Sequence, residues 1–481
     1  MASRHAHRGK APNLGWRRTG PQHTLGYRTS HRLVSGIAMA LIAALAFSGA
    51  FAAATFADIN RVVNDNKIRV IAQDDTDDDE NQLIDPYANQ PIDILLIGQD
   101  TRDGDTNASI GGGETEGGLH NSDTVMILQL AADRTSANLV SLPRDLMVDV
   151  PSCQTSTGEI PAQYGVMLNT IFPNAYAQGG DLASAASCTM SMVNSLSGMN
   201  IQNFMVVDFG GLVNMINAIG GVDICIPVDT VDSYTGLNLA KGVQHLDGLT
   251  ATQYARMRHG TGTDGSDTMR TTRQQYLIKR LITTALQKNL ITQTAQLYQL
   301  AKSALESVQM SSGLADVMTL AGLAMSMKDF NVSHLYSQTI PIVPWTYDAN
   351  RSMLADGAEA VWEKLRNHQP LVEEQSNDGG ATDGSTSDGG ATDGSTDGTT
   401  DGGGTSTDGG TTDGSTDGGT TGDGSTYNER TGVITMADGT LIDAETGGTI
   451  DPETGAIRDA VTGQFIGLAN RYLEIDVCGM A

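Results

Sequence analysis

The chain has 481 residues and a formal net charge of -27, with 56 acidic residues against 29 Lys and Arg. That field repels a phosphate backbone, which argues against a nucleic-acid-binding surface. Hydrophobic residues make up 39% and Gly occupies 56 positions, so a globular part is diluted by low-complexity sequence.

Residues 1–32 run against the overall sign. Arg4, Arg8, Lys10, Arg17, Arg18, Arg28 and Arg32 stand there without Asp or Glu. Leu33 to Ala57, LVSGIAMALIAALAFSGAFAAATFA, carries no charge. As a helix rising about 1.5 Å per residue it would reach roughly 37 Å, enough to cross a bilayer. The positive-inside rule then puts the basic arm in the cytoplasm and everything beyond Asp58 outside, in a single-pass protein of the cell membrane. A cleaved signal peptide is the competing reading, given the small residues from Ala52 to Ala57, although the apolar run is longer than a usual signal core.

Asp58 to Val70 reads as a short helical stalk and Asp74 to Glu80, DDTDDDE, as a solvated spacer, within residues 58–90. A folded domain is expected over 91–370. Ile92 to Gly98, IDILLIG, is a buried strand by its continuous apolar run. A Gly-rich loop separates it from a second strand, Val125 to Leu130, and a polar hairpin leads to a third, Ala137 to Leu142. Asp181 to Leu196 reads as a helix capped near Asp181, and Gly211 to Ile219 as one closed by Gly220-Gly221. Phe204 to Asp208 and Val222 to Pro227 are strands. Helices dominate from Thr268 to Lys328, with a final strand over Val332 to Ile342 and a last helix from Met353 to Arg366. The alternation predicts an α/β fold, a mixed central sheet between helical layers.

Residues 371–426 are expected to form a linker, and from about Gln375 to Ser425 they repeat DGG, TDG and DGST. Without apolar side chains they cannot offset ordering entropy, so a disordered linker is expected. Residues 427–481 alternate short apolar pairs with DG, ETG and VTG turns, the pattern of a small β-rich meander. Four cysteines suit an exported protein. Cys153 and Cys188 can close a short loop; Cys225 and Cys478 can pair if the tail folds back, and spacing does not decide the connectivity.

The chemistry concentrates between Arg256 and Gln275, RMRHGTGTDGSDTMRTTRQQ, where four arginines and His259 stand in an acidic chain. Arg270, Arg273 and Gln274 share a face of the first turn of a helix capped by Asp267 or Thr268. Arginines are disfavoured at that positive end unless an anion is present, so the site suits phosphate or pyrophosphate. Arg256 and Arg258 alternate, and on an extended segment they would point the same way. Arg102 and Arg144 each follow an apolar strand, at the crevice where α/β sheets collect ligands. Asp100 follows the first strand and Asp123 precedes the second. Two carboxylates beside substrate phosphates are a setting for Mg²⁺, with Mn²⁺ a possible substitute and Asp103 and Asp105 as competing ligands. No GxSxG, Walker loop or HExxH is present. The implied chemistry is metal-assisted phosphoryl transfer.

DILLIGQDTR, NSDTVMIL, LVSLPRDLMVDVP, FMVVDFGGLVNMINAIGGVDICIP, HLDGLTATQYARMRH and DTMRTTRQQ together resemble the LytR-CpsA-Psr family of membrane-anchored cell-envelope enzymes. They span roughly Ile92 to Ile282 in the family's order. The resemblance implies transfer of an anionic glycopolymer from a polyprenyl-pyrophosphate carrier to peptidoglycan, forming a phosphodiester outside the membrane. It implies Asp100 and Asp123 as Mg²⁺ ligands. It implies Arg102, Arg144, Arg256, Arg258, Arg270 and Arg273, with Gln274, around the pyrophosphate, and an apolar tunnel for the lipid. Arg256 and Arg258 would take part in catalysis, and Asp267 would activate the acceptor hydroxyl or serve as the helix cap. The sequence departs from the family in the long Gly-rich loop after Asp100. It also has Val243 where many actinobacterial members carry a second cysteine, so Cys225 lacks that partner. A non-catalytic regulator that binds lipid precursors, or a pyrophosphatase acting on the carrier, would use the same arginines.

Overall fold

The computed structural model describes residues 39, 49–73, 90–101, 107, 120–263, 265–287, 294–327, 330–371, 418–420, 425–428, 430–444, 446–460 and 465–480. The chain divides into two units, Met1–Arg61 and Val62–Ala481. In the first, residues 49–61 are helical. The basic arm, most of the expected membrane span from Leu33 to Ala57, the acidic spacer and most of the Asp/Gly linker lie outside the described residues. Among the described residues no helix is long and apolar enough to cross a membrane.

The second unit is built on a seven-stranded mixed sheet. Its strands are β1 (Lys67–Ile68), β2 (Ile92–Thr101), β3 (His120–Leu130), β4 (Ala137–Leu142), β5 (Asn203–Asp208), β6 (Gln309–Ser311) and β7 (Leu335–Thr339). Their spatial order is β1-β6-β5-β2-β3-β4-β7. β2 pairs antiparallel with β3 and parallel with β5, while β4 pairs parallel with β7. The sheet is covered on both faces, which is why β2 carries consecutive apolar residues from Ile94 to Ile97 and every residue of β4 is buried. On one face Leu95, Ile97, Ile127 and Val140 join a core with Phe172, Met192 and Trp362. These come from helices α1 (Ile171–Gly179), α2 (Leu182–Ser197) and, for Trp362, the Ala358–Arg366 helix. On the other lie α3 (Phe209–Ala218), α4 (Gly248–Arg256) and α5 (Asp267–Gln287). Two more helices follow, α6 (Thr294–Glu306) and α7 (Val317–Ser326).

Local chemistry explains most boundaries. Asp181 caps α2 by accepting from the Ser184 backbone N at 2.8 Å, and Gly198 at φ 68° ends it. Several expectations shift. The segment read as a stalk enters the folded unit early, because Val62, Val63 and Ile68 are buried and Lys67–Ile68 pairs with β6. β6 itself interrupts a stretch read as all helix; its pairing with β5 outweighs local propensity. The last strand stops at Thr339, and Ile342–Trp345 and Asp348–Leu354 form a separate hairpin. Met353 therefore sits in a strand, and the final helix begins only at Ala358, after Gly357.

The tail is an antiparallel meander whose strands follow sequence order from Gly418–Thr420 to Phe465–Leu468. Its repeated N/D-x-x-T-G turns share one design. Asn428, Asp443 and Asp451 accept from the backbone N of Thr431, Thr446 and Thr454, and Gly432, Gly447 and Gly455 take φ of 72°, 69° and 64°. Both disulfides form: Cys153 with Cys188, and Cys225 with Cys478 across 253 residues. Val243 does stand opposite Cys225 in the neighbouring strand, but the tail supplies the partner instead.

A candidate anion site of interlocked arginines and aspartates

The site lies at one end of β2, β3 and β4. Gly98 pairs with Thr124, but Gln99 pairs with Ser122, so Asp123 is the extra residue of a β-bulge. Bulges re-aim side chains, and this one places Asp123 among arginines from two other elements. Asp100 pairs with Asn121 on the same strand pair, so both carboxylates expected to act together sit at this end of the sheet.

Four side chains close a ring. Arg144 Nη1 lies 3.0 Å from Asp123 Oδ1, and Arg144 Nε 3.4 Å from Asp267 Oδ1. Arg270 Nη2 lies 2.6 Å from Asp267 Oδ1, and its Nη1 3.6 Å from Asp123 Oδ2. The backbone N of Arg144 also donates to Asp267 Oδ2 at 3.2 Å, and Arg270 Nη2 to the Asp123 carbonyl at 3.0 Å. Two positive and two negative groups thus neutralise one another in a largely buried place. Burial works against the charge on Arg144, yet Asp123 and Asp267 outweigh it and raise its pKa above the ordinary arginine value. For Asp145 burial, and then the charge of Asp267, raise the carboxyl above its usual range.

Asp267 opens α5, but its carboxylate does not cap it. Ser266 Oγ accepts from the Met269 N at 3.1 Å, and Asp267 serves the arginines instead. Gln274 lines the same edge, its Oε1 accepting from Thr124 Oγ1 at 3.0 Å, one residue past the bulge.

The remaining arginines differ from one another. Arg256 is in the last turn of α4, not on an extended segment. Asp247 caps that helix through the Thr250 N, so the alternation with Arg258 carries no shared direction. Its guanidinium stands 4.3 Å over the Phe209 ring, a cation–π contact at the start of α3. Arg258 follows in the loop, its Nε buried and without a hydrogen-bond partner among the described residues. Arg273 is buried and turned away from the ring: Nη1 donates to the Met257 carbonyl at 3.0 Å and Nη2 to Gly262 at 2.8 Å. It fixes the loop that carries Arg258. Arg273→Ala is therefore expected to cost about 2–3 kcal/mol in urea unfolding, the worth of hydrogen bonds from a buried charged group to two carbonyls, one of them buried. Inorganic pyrophosphate affinity should fall only through loosening of Arg258, less than for Arg258→Ala measured alongside. Arg102 lies outside the described residues, as do Asp103 and Asp105.

One residue the sequence did not advertise is Asn107. It is buried, its Oδ1 accepts from the Gly210 N at 2.6 Å, and its Nδ2 donates to Asp208 Oδ2 at 2.9 Å. Asp208 caps α3 through the Gly211 N at 2.6 Å. A Cβ on Gly210 would meet Asn107 Oδ1 at 3.1 Å, so glycine there admits the amide. A position between Asp100 and Asp123 is thus pinned to the turn that carries Phe209, the ring over which Arg256 stands. The helix was expected to start at Gly211, but Asp208 caps it at Phe209, two residues earlier.

For a metal, Asp100 and Asp123 offer hard oxygen donors from adjacent strands. Among the described residues no group of three or more His, Cys, Asp or Glu could hold an ion. That donor set fits Mg²⁺ or Mn²⁺, ions bound by one or two carboxylates with substrate phosphates and water completing the shell. It does not fit a dedicated all-protein cage.

The LytR_cpsA_psr family model matches residues 59–367. The chain is 28% identical over 278 residues to the probable cell wall biosynthesis protein LcpB of Corynebacterium glutamicum, covering 56% of this chain and 60% of the relative. It is 26% identical over 211 residues to the polyisoprenyl-teichoic acid–peptidoglycan teichoic acid transferase TagV of Bacillus subtilis, covering 43% of this chain and 49% of TagV. The chain thus spans about half to three fifths of these relatives' length. The crystal structure of B. subtilis TagV aligns with a TM-score of 0.43 and 22% identity, covering 58% of this chain and 97% of that one. With its family motifs in order and more than half its length matched, the chain belongs to the LytR-CpsA-Psr family.

Proposed function

We propose that the protein is a glycopolymer–peptidoglycan phosphotransferase, taking an anionic glycopolymer from a polyprenyl-pyrophosphate carrier and leaving it on peptidoglycan as a phosphodiester. The observation that carries this is the Asp123–Arg144–Asp267–Arg270 ring at the end of the sheet. Relatives named for teichoic acid transfer to peptidoglycan support it.

In this reading the arginines turn from the carboxylates onto the incoming pyrophosphate. Arg144 and Arg270 hold its oxygens, with Arg256, Arg258 and Arg102 adding donors around it and Gln274 lining the edge. Asp100 and Asp123 would hold Mg²⁺ or Mn²⁺, which when bound offsets charge on the phosphates. Asp267, released from Arg270, accepts the proton of the acceptor hydroxyl at Oδ1. The hydroxyl oxygen bonds to the glycopolymer-side phosphorus, the bond to the bridging oxygen breaks, and polyprenyl phosphate leaves. The lipid would lie along the apolar, half-exposed sides of α5 and α6, at Ile278, Ile282, Leu300 and Leu305. The uncharged run from Leu33 to Ala57 suits a single-pass membrane anchor with this unit outside the cell.

The test uses the full chain in detergent with polyprenyl-pyrophosphate-linked saccharide, peptidoglycan oligomers and Mg²⁺. Phosphodiester product is expected, with Asp123→Asn and Arg144→Ala each lowering the rate at least about 100-fold. No product with the unaltered chain, or product from both variants at the original rate, would overturn the reading.

A further inference from the structure

The hairpin after β7 has no part in the ring, yet it grows from beside it. Ser352 donates through its backbone N to the Asp145 carbonyl at 3.2 Å and through Oγ to Asp145 Oδ1 at 3.1 Å. Asp145 directly follows Arg144. Thr339, just before the hairpin, lies 3.5 Å from Thr271 of α5, Oγ1 to Oγ1. The hairpin is therefore rooted on the two elements that supply the ring's arginines.

Its tip is aromatic and open. Trp345 and Tyr347 stack edge to face with centroids 5.0 Å apart, and Tyr347 is 84% exposed. The register jumps from Pro344 opposite Ser352 to Trp345 opposite Asp348, so the tip is reshaped by a bulge. Beside the rings are polar groups that are not buried. Asp348 accepts from the Asn350 N and Nδ2 at 3.0 Å each, and Arg351 Nε stands 3.6 Å from Asp348. Two amphipathic rings on a short hairpin offer contact area at little entropic cost. Sugar rings present C–H faces to aromatic faces, and their hydroxyls need polar partners such as these. An acidic residue at the tip and no run of Lys or Arg argue against an anionic lipid surface.

Position selects the ligand. The apolar sides proposed for the lipid reach α6, whose end packs on α3: a Cβ on Gly211 would come within 2.4 Å of the Ser307 carbonyl. α3 follows β5, beyond β2 in the sheet, whereas the hairpin follows β7 beside β4 at the opposite edge. The ring lies between, at the ends of β3 and β4. We infer that the Trp345–Tyr347 tip is a saccharide-binding platform for the acceptor glycan of peptidoglycan. The assignment to the acceptor rests on the transferase reading; saccharide binding at the tip does not.

The probe is a soluble tetramer of β-1,4-linked N-acetylglucosamine, titrated into the full chain in detergent by calorimetry and tryptophan fluorescence. Trp362 is buried, so a fluorescence change that vanishes in Trp345→Phe reports the tip. Trp345→Ala and Tyr347→Ala should each weaken the tetramer at least tenfold, Trp345→Phe by less, and inorganic pyrophosphate affinity should stay within twofold. A tetramer that binds this way in a chain without transferase activity would sink the transferase reading and leave the platform standing. If both alanine variants keep the tetramer affinity within twofold, the platform is refuted. It is equally refuted if they abolish only sedimentation with phosphatidylglycerol vesicles, which would make the tip a membrane contact. Displacement of the tetramer by pyrophosphate would also refute it, because the sugar would then occupy the ring.

Discussion

Arg270→Ala should cost about 3–5 kcal/mol of folding stability and at least about 100-fold in transfer rate. Arg270 and Asp267 are both buried, with side chains 4% and 5% exposed, and their contact is the shortest in the ring. Removing the guanidinium leaves Asp267 with Arg144 alone and takes a donor from the Asp123 carbonyl. A carboxylate stranded in a low-dielectric place is what makes breaking a buried pair costly, far more than the pair is worth against an apolar substitute. That asymmetry gives a sharper test than the single variant. Arg270→Met with Asp267→Asn removes both charges and keeps most of the volume. The double variant should recover more than half of the lost stability in urea unfolding while transfer stays at the level of the single variant. Additive stability losses would mean that the two side chains do not interact. Recovery of transfer together with stability would mean that the ring only holds the fold.

The strands of the sheet were legible because their signal is local. IDILLIG and ANLVSL are buried on both faces and announce it with consecutive apolar residues, Ile94 to Ile97 in the first and Leu139-Val140 in the second. Caps were legible for the same reason, as Asp181 illustrates. What escaped the sequence depends on register and on partners far along the chain. The bulge that aims Asp123 is a mismatch between two strands, invisible in either one. Arg270 and Arg273 stand three residues apart on one helix, with the same chemistry. Only the elements packed on each side decide that one meets Asp123 and Asp267 while the other holds the carbonyls of Met257 and Gly262. Arg256 misled through its own neighbourhood: Tyr-Ala-Arg-Met-Arg alternates as a strand would, but Asp247 had already started a helix. The hairpin at Ile342 was merged with the preceding strand because Pro341 separates two apolar β segments without a wide gap.

Replacing Cys225 and Cys478 together by serine should lower the stability of the Val62–Ala481 unit by up to about 5 kcal/mol, the chain-entropy value for a loop of 253 residues. Removing Cys153 and Cys188 should cost less, about 4 kcal/mol at most for a separation of 35. The larger effect has a functional edge, because the tail packs where the arginine-bearing helices meet. Leu473 is 1% exposed and shares a core with Cys225, Tyr254 and Tyr276. Glu474 Oε1 lies 3.5 Å from Arg280 Nη1, and Cys225 donates its backbone N to the Tyr276 hydroxyl at 3.3 Å. Tyr254 is on α4 two residues before Arg256, and Tyr276 on α5 six after Arg270. Deleting residues 427–481 would open a cavity at Leu473 and strand Glu474's partner, on top of the lost cross-link. Thermal unfolding should therefore fall in the order unaltered chain, double serine variant, tail deletion. Inorganic pyrophosphate affinity should weaken in the same order, because the tail braces the helices that carry the clamp. A deletion that melts with the unaltered chain and binds pyrophosphate equally well would make the meander a passenger. A deletion that melts lower but binds equally well would confine its role to stability.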